Sequence, residues 1–215
     1  MTSEKSSKDA SGFVNLGEEI PELLLDVRYY TSFNFVSERI DGYEAPIILC
    51  TKELCEAMKR VVPIFKEKGY LVKVFDAYRP QRAVDHFVRW SLEEGKEGMK
   101  SYFYPDYQKE EIFGEYVIKK SSHSRGSAID FTLVEMATQL DVDMGGTFDF
   151  FGAKSYPFYE HISKEQKENR MYLRKVMLEN GFIAFPSEWW HFSLEKEPYP
   201  DTYFDFPIRP DIIKK

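Results

Sequence analysis

An α+β fold, a mostly antiparallel sheet with helices packed on it, is what the sequence predicts, and three observations carry that expectation. Residues 51–69 and 163–180 space their apolar side chains at helical intervals between recognisable caps. Residues 70–76 and 127–134 alternate apolar and polar side chains as half-buried strands do. These elements do not recur at the regular spacing of βαβ units, which argues against a doubly wound parallel sheet.

Each element has its own warrant. Thr51 caps the first helix, and Leu54, Met58, Val61, Val62 and Phe65 form its apolar stripe. Lys66, Lys68 and Gly69 suit its end, while Pro63 inside the pattern implies a kink or an early stop. Tyr70–Asp76 is rich in β-formers. Pro80 opens a second helix running to about Glu94, with Ala83, Val84, Phe87 and Val88 as its buried stripe. Residues 95–120 are aromatic, charged and irregular, and no element is assigned there. In 127–134, Ile129, Phe131 and Leu133 face a core, while Ala128, Asp130 and Thr132 share the other face. Residues 141–152 carry glycines and read as a loop. Ser163 and Gln166 form a capping box for the last long helix, and Gly181 stops it. Residues 182–185 and 189–194 then read as short strands broken at Pro186.

Composition works by exclusion. The chain has 215 residues, 43% hydrophobic and 30% charged, values of a globular protein. Residues 1–12 are polar and read as a disordered leader; 13–215 read as one domain. A net charge of -7 argues against nucleic acid, whose binding rests on clustered Lys and Arg. Aromatic residues make up 16%, enough to fill a core or to line a small cleft. Cys50 and Cys55 match neither a redox nor a zinc-knuckle spacing and read as free thiols. No run approaches the ~20 apolar residues of a membrane span. The expected location is the cytoplasm, or the periplasm if an export signal has been removed; a homo-oligomer is left open.

The chemistry concentrates in two segments. Ser121-Ser-His-Ser-Arg-Gly-Ser-Ala-Ile-Asp130 and Glu188-Trp-Trp-His191 supply two imidazoles and two carboxylates. Three protein ligands, His123, Asp130 and His191, leave one zinc position open, and Glu188 remains as a base. Each residue alone also fits a bland role: a loop histidine, a solvated carboxylate, a core histidine. Asp130 in a strand filled by Ile129, Phe131 and Leu133 costs desolvation unless a cation or donor compensates it. Glu188 precedes His191 by three residues, so on a regular strand the two would point apart. The pair therefore requires a bend, which Pro186 and Ser187 can provide.

These residues carry a resemblance. Ser121, His123, Gly126, Ala128 and Asp130 meet the pattern S-x-H-x-x-G-x-A-x-D of zinc D,D-peptidases. Glu188-Trp-Trp-His191, Asp76-Ala-Tyr-Arg-Pro80, Asp143-Met-Gly145 with Phe148-Asp149, and the stretch from Glu197 to Phe206 narrow it. The chain resembles D-alanyl-D-alanine dipeptidases of the VanX type from about Glu22 to Pro207. That resemblance implies a zinc D,D-peptidase-like fold and one zinc per chain on His123, Asp130 and His191. It implies Glu188 as general base and Arg79 as the group stabilising the oxyanion. It makes Ser121, Asp149, Tyr29 and Tyr43 substrate-binding positions, and a small D,D-dipeptide the partner. Two departures are local: Tyr30 follows Tyr29 where the family more often has a small residue, and Gly146 adds a second glycine to the 143–149 loop. Two rival readings are a zinc D,D- or L,D-carboxypeptidase or endopeptidase trimming peptidoglycan stems, and a non-catalytic zinc module. A closed structural site needs a fourth protein ligand and no base, so Glu188 argues against the latter. Resistance to a cell-wall antibiotic and salvage of D-alanine are both compatible with the resemblance.

Overall fold

The computed structural model describes residues 5–114 and 116–213. In chain order come β1 (Lys5–Ser7), β2 (Phe13–Asn15), α1 (Leu16–Glu19), β3 (Leu24–Leu25), β4 (Leu49–Thr51), α2 (Lys52–Glu67), β5 (Tyr70–Asp76) and α3 (Gln81–Leu92). Two single-turn helices follow, α4 (Lys100–Phe103) and α5 (Lys109–Ile112), then β6 (Ala128–Glu135), α6 (Lys164–Glu179), β7 (Phe182–Ala184), β8 (His191–Leu194) and β9 (Thr202–Phe204).

The central sheet has the order β3-β5-β6-β8-β7. Only β3 and β5 run parallel; every other neighbouring pair in it is antiparallel. This is the expected α+β architecture. Asp76 on β5 pairs with Asp130 on β6, and Asp130 pairs with His191 on β8. Directly paired residues share a face of a sheet, so three adjacent strands lay these side chains in one row.

Helix α2 begins where the sequence places it, with Thr51 Oγ1 accepting from the Leu54 N–H at 3.3 Å. It does not stop at Pro63 but runs on to Glu67. Its stripe of Leu54, Met58, Val61, Val62 and Phe65 is buried, each such side chain contributing about 1.5–3 kcal/mol. Phe65 meets Phe131 of β6 and Tyr172 of α6 with ring centroids 6.1 and 5.8 Å apart. The two long helices thus cover one face of the sheet, leaving Asp130 on the other. Residues 128–134 are buried throughout, on both faces of the strand.

The leader expectation needs correction. Residues 1–4 lie outside the described residues, but β1 pairs in parallel with β9, Lys5 opposite Thr202 through Ser7 opposite Phe204. Ala10 is buried, and Lys52 Nζ donates to the Ser11 carbonyl at 2.9 Å. Backbone pairing asks nothing of side-chain hydrophobicity, so a polar composition concealed it. Cys50 and Cys55 are free and buried, as expected. Among the described residues, no helix is long and apolar enough to cross a membrane.

Candidate active site

His123 sits in a 3₁₀ turn, Ser122–Arg125, between β5 and β6. Ser121 Oγ accepts from the His123 N–H at 3.3 Å, and the His123 carbonyl accepts from the Arg79 N–H at 3.2 Å. The turn closes on Gly126 at φ 79°, where a Cβ would come within 2.3 Å of the Phe13 ring. Only glycine meets both demands.

His123 Nδ1 lies 2.6 Å from the Ala77 carbonyl, which can only accept, so that nitrogen carries the proton and Nε2 presents its lone pair. His191 has its Nε2 3.2 Å from Ser122 Oγ, and its Nδ1 faces inward. The two inward nitrogens are 3.1 Å apart. Asp130 closes the triangle, Oδ1 3.0 Å from His191 Nδ1 and Oδ2 3.1 Å from His123 Nε2. All three donor atoms lie within 4.8 Å of one another, and all three residues are buried. Two imidazole lone pairs and a carboxylate converging in a dry site repel one another until a cation joins them. The donor set therefore fits a divalent metal with nitrogen and oxygen preference. Burial alone would push the Asp130 carboxyl up, yet charge attraction and hydrogen bonds from the His123 and His191 rings hold it well below the ordinary range.

The bend required by Glu188 is present. Residues 186 and 187 bend, and the His191 N–H turns back to the Glu188 carbonyl at 3.4 Å. The Trp189 N–H donates to the Ser155 carbonyl at 3.0 Å, pinning the bend. Glu188 Oε2 consequently comes within 3.8 Å of His191 Nδ1. A quarter of its side chain remains exposed to the cleft, but burial of the rest pushes its carboxyl up to about 7.

Arg79 projects from the loop between β5 and α3. Its Nε donates to Asp76 Oδ2 at 2.9 Å, and Nη2 lies 3.4 Å from Tyr29 Oη and 3.6 Å from Asp130 Oδ2. Burial opposes its charge, but Tyr29, Asp76, Tyr43 and Asp130 around it more than offset that. Asp149 is buried, with φ at 60° in the left-handed region that Asp tolerates better than most residues. Its Oδ2 accepts from Tyr29 Oη at 2.8 Å, and burial pushes its carboxyl far above the usual range. Arg170 anchors the loop that carries Asp149. Its buried guanidinium donates to the carbonyls of Met144, Tyr156 and Lys154 at 2.6, 2.8 and 2.9 Å.

These groups surround a cavity of about 290 Å³ lined by Tyr29, Arg79, Ser121, Asp149 and Glu188 together with the triad. That is the lower end of ligand-pocket size, ~300–1,000 Å³. Tyr43, expected at the substrate, is not in its wall: it is buried behind Asp76, donating to Oδ1 at 2.7 Å. A tyrosine at that position reaches the carboxylate before it reaches the cavity. Sequence reasoning missed Ser122, whose place beside His123 was a usable signal. It also missed the aromatic wall of Phe35, Phe87, Phe151 and Phe185, drawn from four separate segments. The abundant aromatics thus serve core and cleft alike. His86 is buried against Glu38 and His161 is exposed beside Tyr159, in keeping with packing or surface roles.

A mostly antiparallel sheet and its adjoining turn that seat two imidazoles and a carboxylate beside a second carboxylate in a small cleft define a metallopeptidase. Comparison with known proteins narrows the class. The family model described as D-ala-D-ala dipeptidase matches residues 9–209, and the chain belongs to that family of M15 peptidases. A D-alanyl-D-alanine dipeptidase of Enterococcus faecium is 40% identical over 199 residues, 92% of this chain and 98% of that one. The enzyme of the same description from Streptomyces coelicolor is 39% identical over 197 residues, 91% of this chain and 98% of that one. Among solved structures, the LdcB LD-carboxypeptidase superposes with a TM-score of 0.45 at 14% identity, covering 89% of this chain and 72% of that one.

Proposed function

We propose that this chain hydrolyses D-alanyl-D-alanine to two molecules of D-alanine, using one zinc ion per chain held by His123, Asp130 and His191. The observation that carries the reading is the convergence of those three donors within 4.8 Å beside Glu188. Zinc bound there supplies Lewis acidity toward a carbonyl oxygen and toward water.

The remaining steps belong to the chain's own residues. Glu188 accepts the proton of the attacking water and returns it to the leaving amine as the C–N bond breaks. Charge builds on the former carbonyl oxygen, and Arg79 answers it with a permanent cation that donates in a fixed fork. Asp149, with Tyr29 holding one of its oxygens, takes the substrate ammonium. Ser121 binds the peptide or carboxylate end. The phenyl wall accommodates the two methyl groups, and a cavity of about 290 Å³ suits a dipeptide better than a longer stem.

The test compares kcat/KM for D-Ala-D-Ala, its N-acetylated form and a pentapeptide ending in D-Ala-D-Ala, with and without chelator. The free dipeptide is expected to be far the best substrate, and the chelator to abolish its turnover. Equal kcat/KM for dipeptide and pentapeptide would replace this reading with that of a carboxypeptidase.

A further inference from the structure

We propose that Asp76 is a positioning residue, braced by Tyr43, that aims Arg79 into the cleft and keeps it from collapsing onto the metal-binding carboxylate. The inference rests on the reading of Arg79 as the oxyanion-stabilising group.

Asp76 is fully buried, at 0% exposure, at the end of a strand in the middle of the sheet. A carboxylate there persists only if both oxygens are engaged. They are, by different elements: Oδ1 accepts from Tyr43 Oη at 2.7 Å and Oδ2 from Arg79 Nε at 2.9 Å. The pairing register of β5 with β6 shifts between Val74 and Asp76, the irregularity that re-aims a side chain at a strand end. It leaves Asp76 paired with Asp130, so Arg79 stands between two carboxylates. Its Nε is 2.9 Å from Asp76 and its Nη2 is 3.6 Å from Asp130 Oδ2.

That asymmetry is the core of the argument. A guanidinium is drawn to whichever buried carboxylate it can reach. Asp130 belongs to the triad, and an Arg79 closed onto it would neutralise a ligand and withdraw from the reacting carbonyl. Asp76 competes for the same cation from the other side, and Tyr43 prevents Asp76 from yielding. The rings of Tyr29 and Phe87, 4.9 and 5.4 Å from the Arg79 Cζ, restrict the guanidinium but supply no directional partner to Nε. An amide at position 76 keeps the shape and loses the charge, so Arg79 drifts toward Asp130.

The experiment is a double-mutant cycle on the zinc-loaded enzyme, with D76N, R79A and the double variant assayed for kcat and KM on D-Ala-D-Ala and for zinc content. D76N is expected to lower kcat by about 10- to 100-fold, the usual effect of an outer-shell partner. KM should stay within about threefold and zinc content should not change. In the R79A background the same substitution should alter kcat by less than about threefold, because a residue acting only through Arg79 has nothing left to position. A merely structural Asp76 would cost the same factor in both backgrounds, and that result overturns the proposal, as does a D76N enzyme within threefold of wild type. Y43F provides the second variant should D76N not accumulate as folded protein. It removes one donor to Asp76 and should lower kcat several-fold in the native background, again not in R79A; equal factors refute the proposal. R79A alone separates the two levels. If it retains native kcat, the role of Arg79 falls and the proposal with it; if it collapses while D76N is silent, only the proposal falls.

Discussion

Replacing Glu188 with Gln should make the metal-free protein more stable at pH 8 while destroying turnover of the zinc-loaded enzyme. Burial pushes the Glu188 carboxyl from an ordinary 4.5 up to about 7. The folded state therefore binds this proton more tightly than the unfolded chain does. Below pH 4.5 the group is neutral in both states and has no effect. Above it the unfolded chain ionises first, and the penalty on folding grows until pH 7, where the folded state ionises too. An interval of about 2.5 pH units at ~1.36 kcal/mol each corresponds to roughly 3 kcal/mol. A quarter of the side chain is exposed, so solvent screening reduces the expected gain for Glu188→Gln to about 1–2 kcal/mol. Urea unfolding of chelator-treated native and variant protein at pH 8 and pH 4 measures it. The gain should appear at pH 8 and vanish at pH 4. Zinc should also erase it, because a nearby cation stabilises the carboxylate. Turnover at saturating zinc should fall by about 10²- to 10⁴-fold. A variant equally stable to the native protein at both pH values, or one that turns over normally, would refute the picture of a strained buried base.

Further outcomes follow from the same geometry. His123→Ala should purify with little zinc and no activity, checked by metal analysis beside hydrolysis. Asp149→Ala should narrow the gap in kcat/KM between free and N-acetylated dipeptide, chiefly by damaging the free one, since an unpaired buried partner rejects analogues strongly. Arg170→Met removes three donations to backbone carbonyls. It should lower stability by about 2–4 kcal/mol in a urea titration and raise KM as the Asp149 loop loosens.

Much of this was legible along the chain because it is written locally. The Thr51 cap, the Ser163–Gln166 box and the alternation of Tyr70–Asp76 each depend on residues a few positions apart, and α2, α6 and β5 match them. The triad was legible for another reason: an aspartate inside an apolar strand demands compensation, whatever the fold. Less local features escaped. Strands β1, β2, β4 and β9 are three residues each and lack the flanking helix stop and proline that marked the equally short β7. The place of Tyr43 behind Asp76 joins residues 33 positions apart, which no short window of sequence contains. The cleft wall joins Phe35 to Phe185 across most of the chain, and only closure of the fold brings them together.

The row formed by Asp76, Asp130 and His191 has a consequence for how the molecule breathes. These residues lie on three neighbouring interior strands of the sheet, Asp76 opposite Asp130 past the register shift and Asp130 opposite His191. Their backbones are held by strand pairing rather than by a loop, although Asp76 ends β5 and His191 begins β8. Backbone amides of β5, β6 and β8 should accordingly be among the slowest to exchange with deuterium, through openings that approach global unfolding in free energy. A metal on Asp130 and His191, completed by His123 from the adjoining turn, would tie β6 to β8, and its presence would lower the frequency of their opening in proportion to its occupancy.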